Sequence, residues 1–111
     1  MDSRQAYLMG YANRDKEEMV FDWDAAARII KERNVDHAEA GLRNDWENTG
    51  GIILENGKPV MNSYTYLAST WAVPEIMIDG MYIECYRMQS DVPKWGAKTK
   101  WPKSSLEILA N

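Results

Sequence analysis

Catalysis needs a nucleophile, an acid or base, or a bound metal, held close together, and this chain offers few such groups. Among 111 residues there is one histidine, His37, and one cysteine, Cys85. A lone histidine excludes a two-histidine metal site. A Cys–His pair would need a third group to orient it, and the sequence supplies none. Cys85 lies in an alternating run where Ile83, Cys85 and Arg87 share a face, which predicts a small buried hydrophobe. His37 opens a strand and reads as a surface residue. The carboxylates Asp22 and Asp24 are explained by helix capping, and Asp45 and Glu47 stand two apart in a polar turn. Gly50-Gly51 lacks the spacing of a phosphate-cradling glycine loop, so a turn before a strand suffices. The expectation is a protein that is not an enzyme, with no catalytic residue, no metal and no cofactor.

Binding chemistry is better represented. The chain has five Trp and six Tyr but one Phe, and Trp and Tyr join a large apolar body to a polar tip that suits interfaces. Trp46 stands between Asp45 and Glu47. Tyr64 and Tyr66 share one face of a run ending at Trp71, where Leu67 and Trp71 take the other, buried face. Tyr82, Glu84, Tyr86 and Met88 share a face of a later strand. If the two tyrosine faces align, four rings form a platform with Glu84 at its centre. Further on, PKWGAKTKWPK sets Trp95 and Trp101 among Lys98, Lys100 and two other lysines. These are the candidate partner-binding residues: Asp45, Trp46, Glu47, Tyr64, Tyr66, Tyr82, Glu84, Tyr86, Trp95, Lys98, Lys100 and Trp101. Trp and lysine together can hold nucleic acid by stacking and charge. Against direct nucleic-acid binding stand the acidic body and the absence of arginine from this stretch.

The elements that must position these side chains read as an α+β domain. Residues 3–18 fit a helix with Tyr7, Gly10, Tyr11 and Arg14 on one face. Asp22 can cap a second helix, WDAAARIIKER, whose buried stripe is Trp23, Ala26, Ala27 and Ile30, and which Arg33 and Asn34 close. Strands follow at 37–42, 51–55, 64–71, 75–78 and 81–88, with hairpin turns at Asn56-Gly57 and Asp79-Gly80. A short C-terminal helix begins near Trp101, with Leu106 and Leu109 available to pack inward. The expected architecture is a mostly antiparallel sheet of about five strands with two N-terminal helices and one short C-terminal helix.

Length predicts a single domain over 1–111. The formal net charge is −4, but residues 1–89 carry −6 and residues 90–111 carry +2. The body should therefore favour basic surfaces. One cysteine permits no internal disulfide, no run approaches a membrane span, and the first residues lack the order of a signal peptide. A cytoplasmic protein that does not contact membranes is expected.

Four segments, FDWDAAARIIKE, GLRNDWENTGGIILENGKPV, YTYLASTWAVP and TKWPKSSLEIL, resemble small proteins carried by phages and mobile elements of Gram-positive bacteria. The resemblance covers most of the chain after residue 20 and carries over no functional residue. It implies an accessory gene product, of which stoichiometric inhibitors of host defence, anti-CRISPR proteins among them, are examples. The resulting expectation is a non-catalytic protein, active inside the host cell, that binds a host protein such as a nucleic-acid-binding defence effector through an acidic, Trp/Tyr-rich surface. The alternative is a small-ligand binder or sponge for a nucleotide signal, with tyrosines on the base and Lys98 and Lys100 on phosphate. Homodimerisation through a strand edge stays open.

Overall fold

The computed structural model describes residues 17–43, 48–60, 67–92 and 101–111. Within them lie eight strands: β1 (Met19–Phe21), β2 (Ala38–Arg43), β3 (Asn48–Glu55), β4 (Lys58–Pro59), β5 (Ala68–Ser69), β6 (Val73–Ile78), β7 (Met81–Glu84) and β8 (Tyr86–Met88). They are joined by helices α1 (Trp23–Arg33) and α2 (Lys103–Ala110) and a 3-10 turn (Gln89–Asp91).

Helix α1 forms where the sequence predicts it. The Asp22 carboxylate accepts a hydrogen bond from the Ala25 amide at 3.0 Å, satisfying one of the amides that a helix start leaves without a partner. At the other end Asn34 adopts the left-handed conformation (φ 52°, ψ 48°), and its amide donates to the Ile30 and Lys31 carbonyls, the geometry of a helix stop. Trp23, Ala26, Ala27 and Ile30 are buried.

The strands form two antiparallel sheets, a five-stranded one in the order β4-β3-β2-β6-β7 and a three-stranded one in the order β5-β1-β8. The α+β class holds, with two sheets in place of one. In the large sheet, Asn56-Gly57 (φ 53° and 76°) and Asp79-Gly80 (φ 53° and 78°) both take positive φ at the two central positions, as a two-residue hairpin turn matching strand twist requires. Register places Ala38 and Ala40 of β2 beside Ile76 and Ile78 of β6 on the face toward α1. Alanines there let the helix approach closely. Ala38 pairs with Leu54 and Glu39 with Ile52, so Ile53 is an extra residue in β3, a bulge.

Several expectations change. Residues 3–16 of the anticipated first helix lie outside the described residues, and Glu17 and Glu18 are not helical. The run 81–88 is two strands in different sheets that meet at Cys85: its amide donates to the Pro74 carbonyl, in line with the β6–β7 pairing, and its carbonyl accepts from the Asp22 amide, in line with the β1–β8 pairing. Of the run 64–71, residues 64–66 lie outside the described residues and only Ala68–Ser69 is strand.

Two tryptophans exchange roles. Trp101, expected at a binding surface, is 7% exposed. Its indole Nε1 donates to the Ile53 carbonyl at the bulge at 2.9 Å, and its ring packs edge-on against Trp23, which meets Phe21 likewise. Trp71, expected in the core, is 62% exposed. In α2 the deeply buried residue is Ser105, and Leu106 faces outward. The Ser104 and Ser105 hydroxyls both donate to Asp24 Oδ1, at 2.9 and 2.6 Å, tying α2 to the first turn of α1.

Gly50 lies opposite Gly41 in the β2–β3 ladder with φ 153°. A Cβ there would overlap the Ala40 carbonyl oxygen and lie 2.6 Å from Gly41 Cα. Gly50→Ala should therefore cost about 3 kcal/mol or more, the upper range for one substitution. Trp101→Phe, which keeps an aromatic ring but loses the indole donor, should cost about 1 kcal/mol. Urea unfolding of the two variants measures both, and the order of the two losses should be as stated.

Candidate functional site

The two sheets meet where the chain crosses between them, at residues 70–72 from β5 to β6 and at Cys85 from β7 to β8. A crossing bends the backbone, and the bend at 70–72 is held by one side chain. The Ser69 hydroxyl, itself 9% exposed, accepts from the Trp71 amide at 3.0 Å and from the Ala72 amide at 2.8 Å. That is a serine turn. Leu67, Ser69 and Ala72 point inward and Trp71 outward, so the alternation that holds to Ser69 reverses across the bend. The result is a large aromatic side chain in solvent on a backbone fixed from below.

Beyond the bend, β6 and β7 run side by side. On β7, the edge strand of the large sheet, Met81 and Tyr82 are 54% and 39% exposed, and Glu84 is exposed. Tyr82 lies opposite Met77 and Glu84 opposite Glu75, on the face turned away from α1. Glu84 lies at the end of the β6–β7 pair nearer the Trp71 bend. Trp71 and Tyr82 are thus the large exposed aromatic side chains among the described residues, and Glu84 is an exposed carboxylate on the Tyr82 face of β7, while Met81 takes the other face.

Of the four tyrosines expected to form a platform, the two described ones do not share a strand. Tyr82 and Glu84 stay together on β7, while Tyr86 is half-buried on β8 in the other sheet, paired with Phe21 of β1. Asp45, Trp46, Glu47, Tyr64, Tyr66, Trp95, Lys98 and Lys100 lie outside the described residues. The nucleotide alternative set tyrosines on the base and Lys98 and Lys100 on phosphate, and both lysines fall outside the described residues. Trp71 is the exposed candidate that sequence reasoning placed in the core. Its signal was Ser69, a turn-forming residue two positions before it, with Pro74 beyond.

The single histidine and the single cysteine stand in different settings, one exposed and one buried. His37 Nε2 lies 3.3 Å from Glu39 Oε2 at the surface. Cys85 is 3% exposed and its thiol donates to the Asp22 carbonyl at 3.2 Å. Burial, reinforced by the Asp22 charge, pushes the thiol from its ordinary 9.0 up to about 12. Among the described residues no group of three or more His, Cys, Asp or Glu side chains is placed to hold a metal ion, and no helix is long and apolar enough to cross a membrane.

No protein-family model, no curated protein and no solved structure matches this chain.

The raised thiol pKa has two measurable consequences. A thiol reagent such as Ellman's at pH 8 should leave Cys85 unmodified in the folded protein and react with it in denaturant. The folded thiol also keeps its proton at a pH where the unfolded thiol has lost it. Its contribution to stability is therefore complete below about pH 9 and falls as pH rises toward 12, by up to about 1.4 kcal/mol per pH unit. Comparing alkaline unfolding of the wild type and Cys85→Ala isolates this slope, which only the wild type should display.

Proposed function

We propose that this protein works without catalysis, by seating Trp71 in an apolar pocket of a partner protein, with Tyr82 and Glu84 alongside. The exposure of Trp71 on the Ser69-locked bend carries this reading. Tryptophan is among the residues whose truncation costs most at protein interfaces. A fixed backbone lowers the ordering cost of docking it. Glu84 adds the acidic character that speeds encounter with a basic partner. The resemblance to phage and mobile-element proteins suggests the biological form: stoichiometric inhibition of a host defence protein, in the manner of an anti-CRISPR. A nucleic-acid-binding effector, basic by necessity, would be such a partner.

The test is paired capture from a host lysate with tagged wild type and Trp71→Ala, followed by affinity measurement on whatever the wild type retains. Trp71→Ala should lose about 2 kcal/mol or more of binding, roughly thirtyfold in Kd, with an unchanged melting temperature. Ser69→Ala should loosen the bend, weakening binding less and lowering stability by about 1–2 kcal/mol, since two amides lose their acceptor. Equal affinity of Trp71→Ala and wild type would remove the reading.

A further inference from the structure

At the far end of β6 from Trp71 lies a cleft of about 690 Å³, walled by the last turn of α1, the residues after it, and the two hairpin turns that contain Gly57 and Asp79. Asp79 follows β6 and Trp71 precedes it, so the six residues of β6, roughly 17–20 Å at about 3.3 Å per residue, lie between them. The cleft is therefore a different place from the proposed docking surface, and its use does not depend on that reading.

Its lining chemistry is specific. Lys31 and Arg33 supply two positive charges, Asp36 and Asp79 two negative ones, and Ile30 and Leu54 an apolar floor. Among the described residues none of these four charges is engaged in an ion pair. They line one cavity without neutralising one another, so a guest bearing both signs can engage both. Three of these charges also have a local reason to be where they are. Lys31 and Arg33 suit the negative end of α1, and aspartate suits the positive φ of the hairpin turn. Those reasons do not bring all four around one cavity.

The ligand class follows by exclusion. A nucleotide would bring several negative charges among described lining residues whose charges sum to zero, and its base would want an aromatic face, which none of the described lining residues supplies. A simple anion would meet two carboxylates and the carbonyl end of α1. We propose that the cleft binds a small zwitterion with an apolar side chain, of the amino-acid or dipeptide class. Its ammonium would lie toward Asp36, Asp79 and the carbonyl end of α1, its carboxylate on Lys31 and Arg33, and its side chain on Ile30 and Leu54. The walls belong to a capped helix and two tight turns, so the site is preformed, and its volume lies in the range of small-molecule pockets.

The experiment is a titration of isotopically labelled protein followed by amide chemical shifts. The probes are leucyl-leucine, the same dipeptide acetylated and amidated at its ends, adenosine monophosphate and inorganic phosphate. Leucyl-leucine should give saturable shifts at Asn34, Asp36, Gly57 and Gly80, in wild type and equally in Trp71→Ala. Blocking the termini should weaken binding about tenfold or more, as loss of charge-assisted contacts does. The double substitution Asp36→Asn and Asp79→Asn should do the same while leaving the melting temperature unchanged, because asparagine accepts the turn conformation at 79 and residue 36 is exposed. No saturable shift, equal binding of the blocked dipeptide, or tighter binding of either phosphate probe would each overturn the proposal. None of these outcomes bears on Trp71, whose test is made with a protein partner.

Discussion

The hydrogen-bonded knot between Asp22 and Cys85 holds this architecture together. Asp22 uses its side chain to cap α1 and its backbone carbonyl to accept from Ala26 and from the Cys85 thiol, while its amide donates to the Cys85 carbonyl. The Cys85 amide donates in turn to the Pro74 carbonyl. One residue pair thus fixes the end of β1, the start of α1, the edge of β6 and the point where the chain leaves one sheet for the other. Both residues are buried, so these bonds form where water competes little and where an orphaned partner is costly. The same burial makes the thiol inert: Cys85 is structural because it stands at the joint.

A second layer of the core depends on the joint. With β1 fixed, Phe21 meets Trp23, and Trp23 meets Trp101, as edge-on pairs with centroids 4.8 Å apart. Trp101 then reaches the Ile53 carbonyl, which also accepts from the Val60 amide. The bulge at Ile53 is what brings Ile53 and Leu54 both into the interior. Helix α2 follows from Trp101 and adds the Ser104 and Ser105 bonds to Asp24. The C-terminal segment is thus held at two separate points, one on the large sheet and one on α1.

The sequence was most legible where local chemistry decides structure. The Asp22 cap, the Asn34 stop, the stripe Trp23, Ala26, Ala27 and Ile30, and the turns Asn56-Gly57 and Asp79-Gly80 depend on a few neighbouring residues, and all formed where read. It was least legible where a distant contact overrides a local pattern. Alternation across 81–88 predicts one strand, but at Cys85 the chain changes partner from β6 to β1, so one run serves two sheets. Alternation through Trp71 predicts a buried ring, but Ser69 bends the chain and reverses the face. Lysines around Trp101 suggest a surface, but the indole finds a carbonyl that only the bulge of a strand about fifty residues earlier exposes. Of the candidate site, Tyr82 and Glu84 were read on the right strand, and their separation from Tyr86 followed from the same change of partner at Cys85.

The exposed tryptophan and the inert cysteine have one cause. Two sheets built from a chain this short must be joined by abrupt crossings, and each crossing needs its freed amides and carbonyls satisfied at once. At Cys85 the partners are backbone groups of the interior, so the crossing is buried and its side chain is sealed in. At 70–72 the acceptor is a single hydroxyl on the inner side, so the bend closes over Ser69 and turns the next large side chain outward. An apolar ring of that size in water is unfavourable for the isolated fold, and nothing in the bend requires tryptophan, since the bonds are made by Ser69 and by backbone amides. The bend therefore leaves the identity of residue 71 open, and it is on this exposed ring, 62% accessible, that the proposed docking role rests.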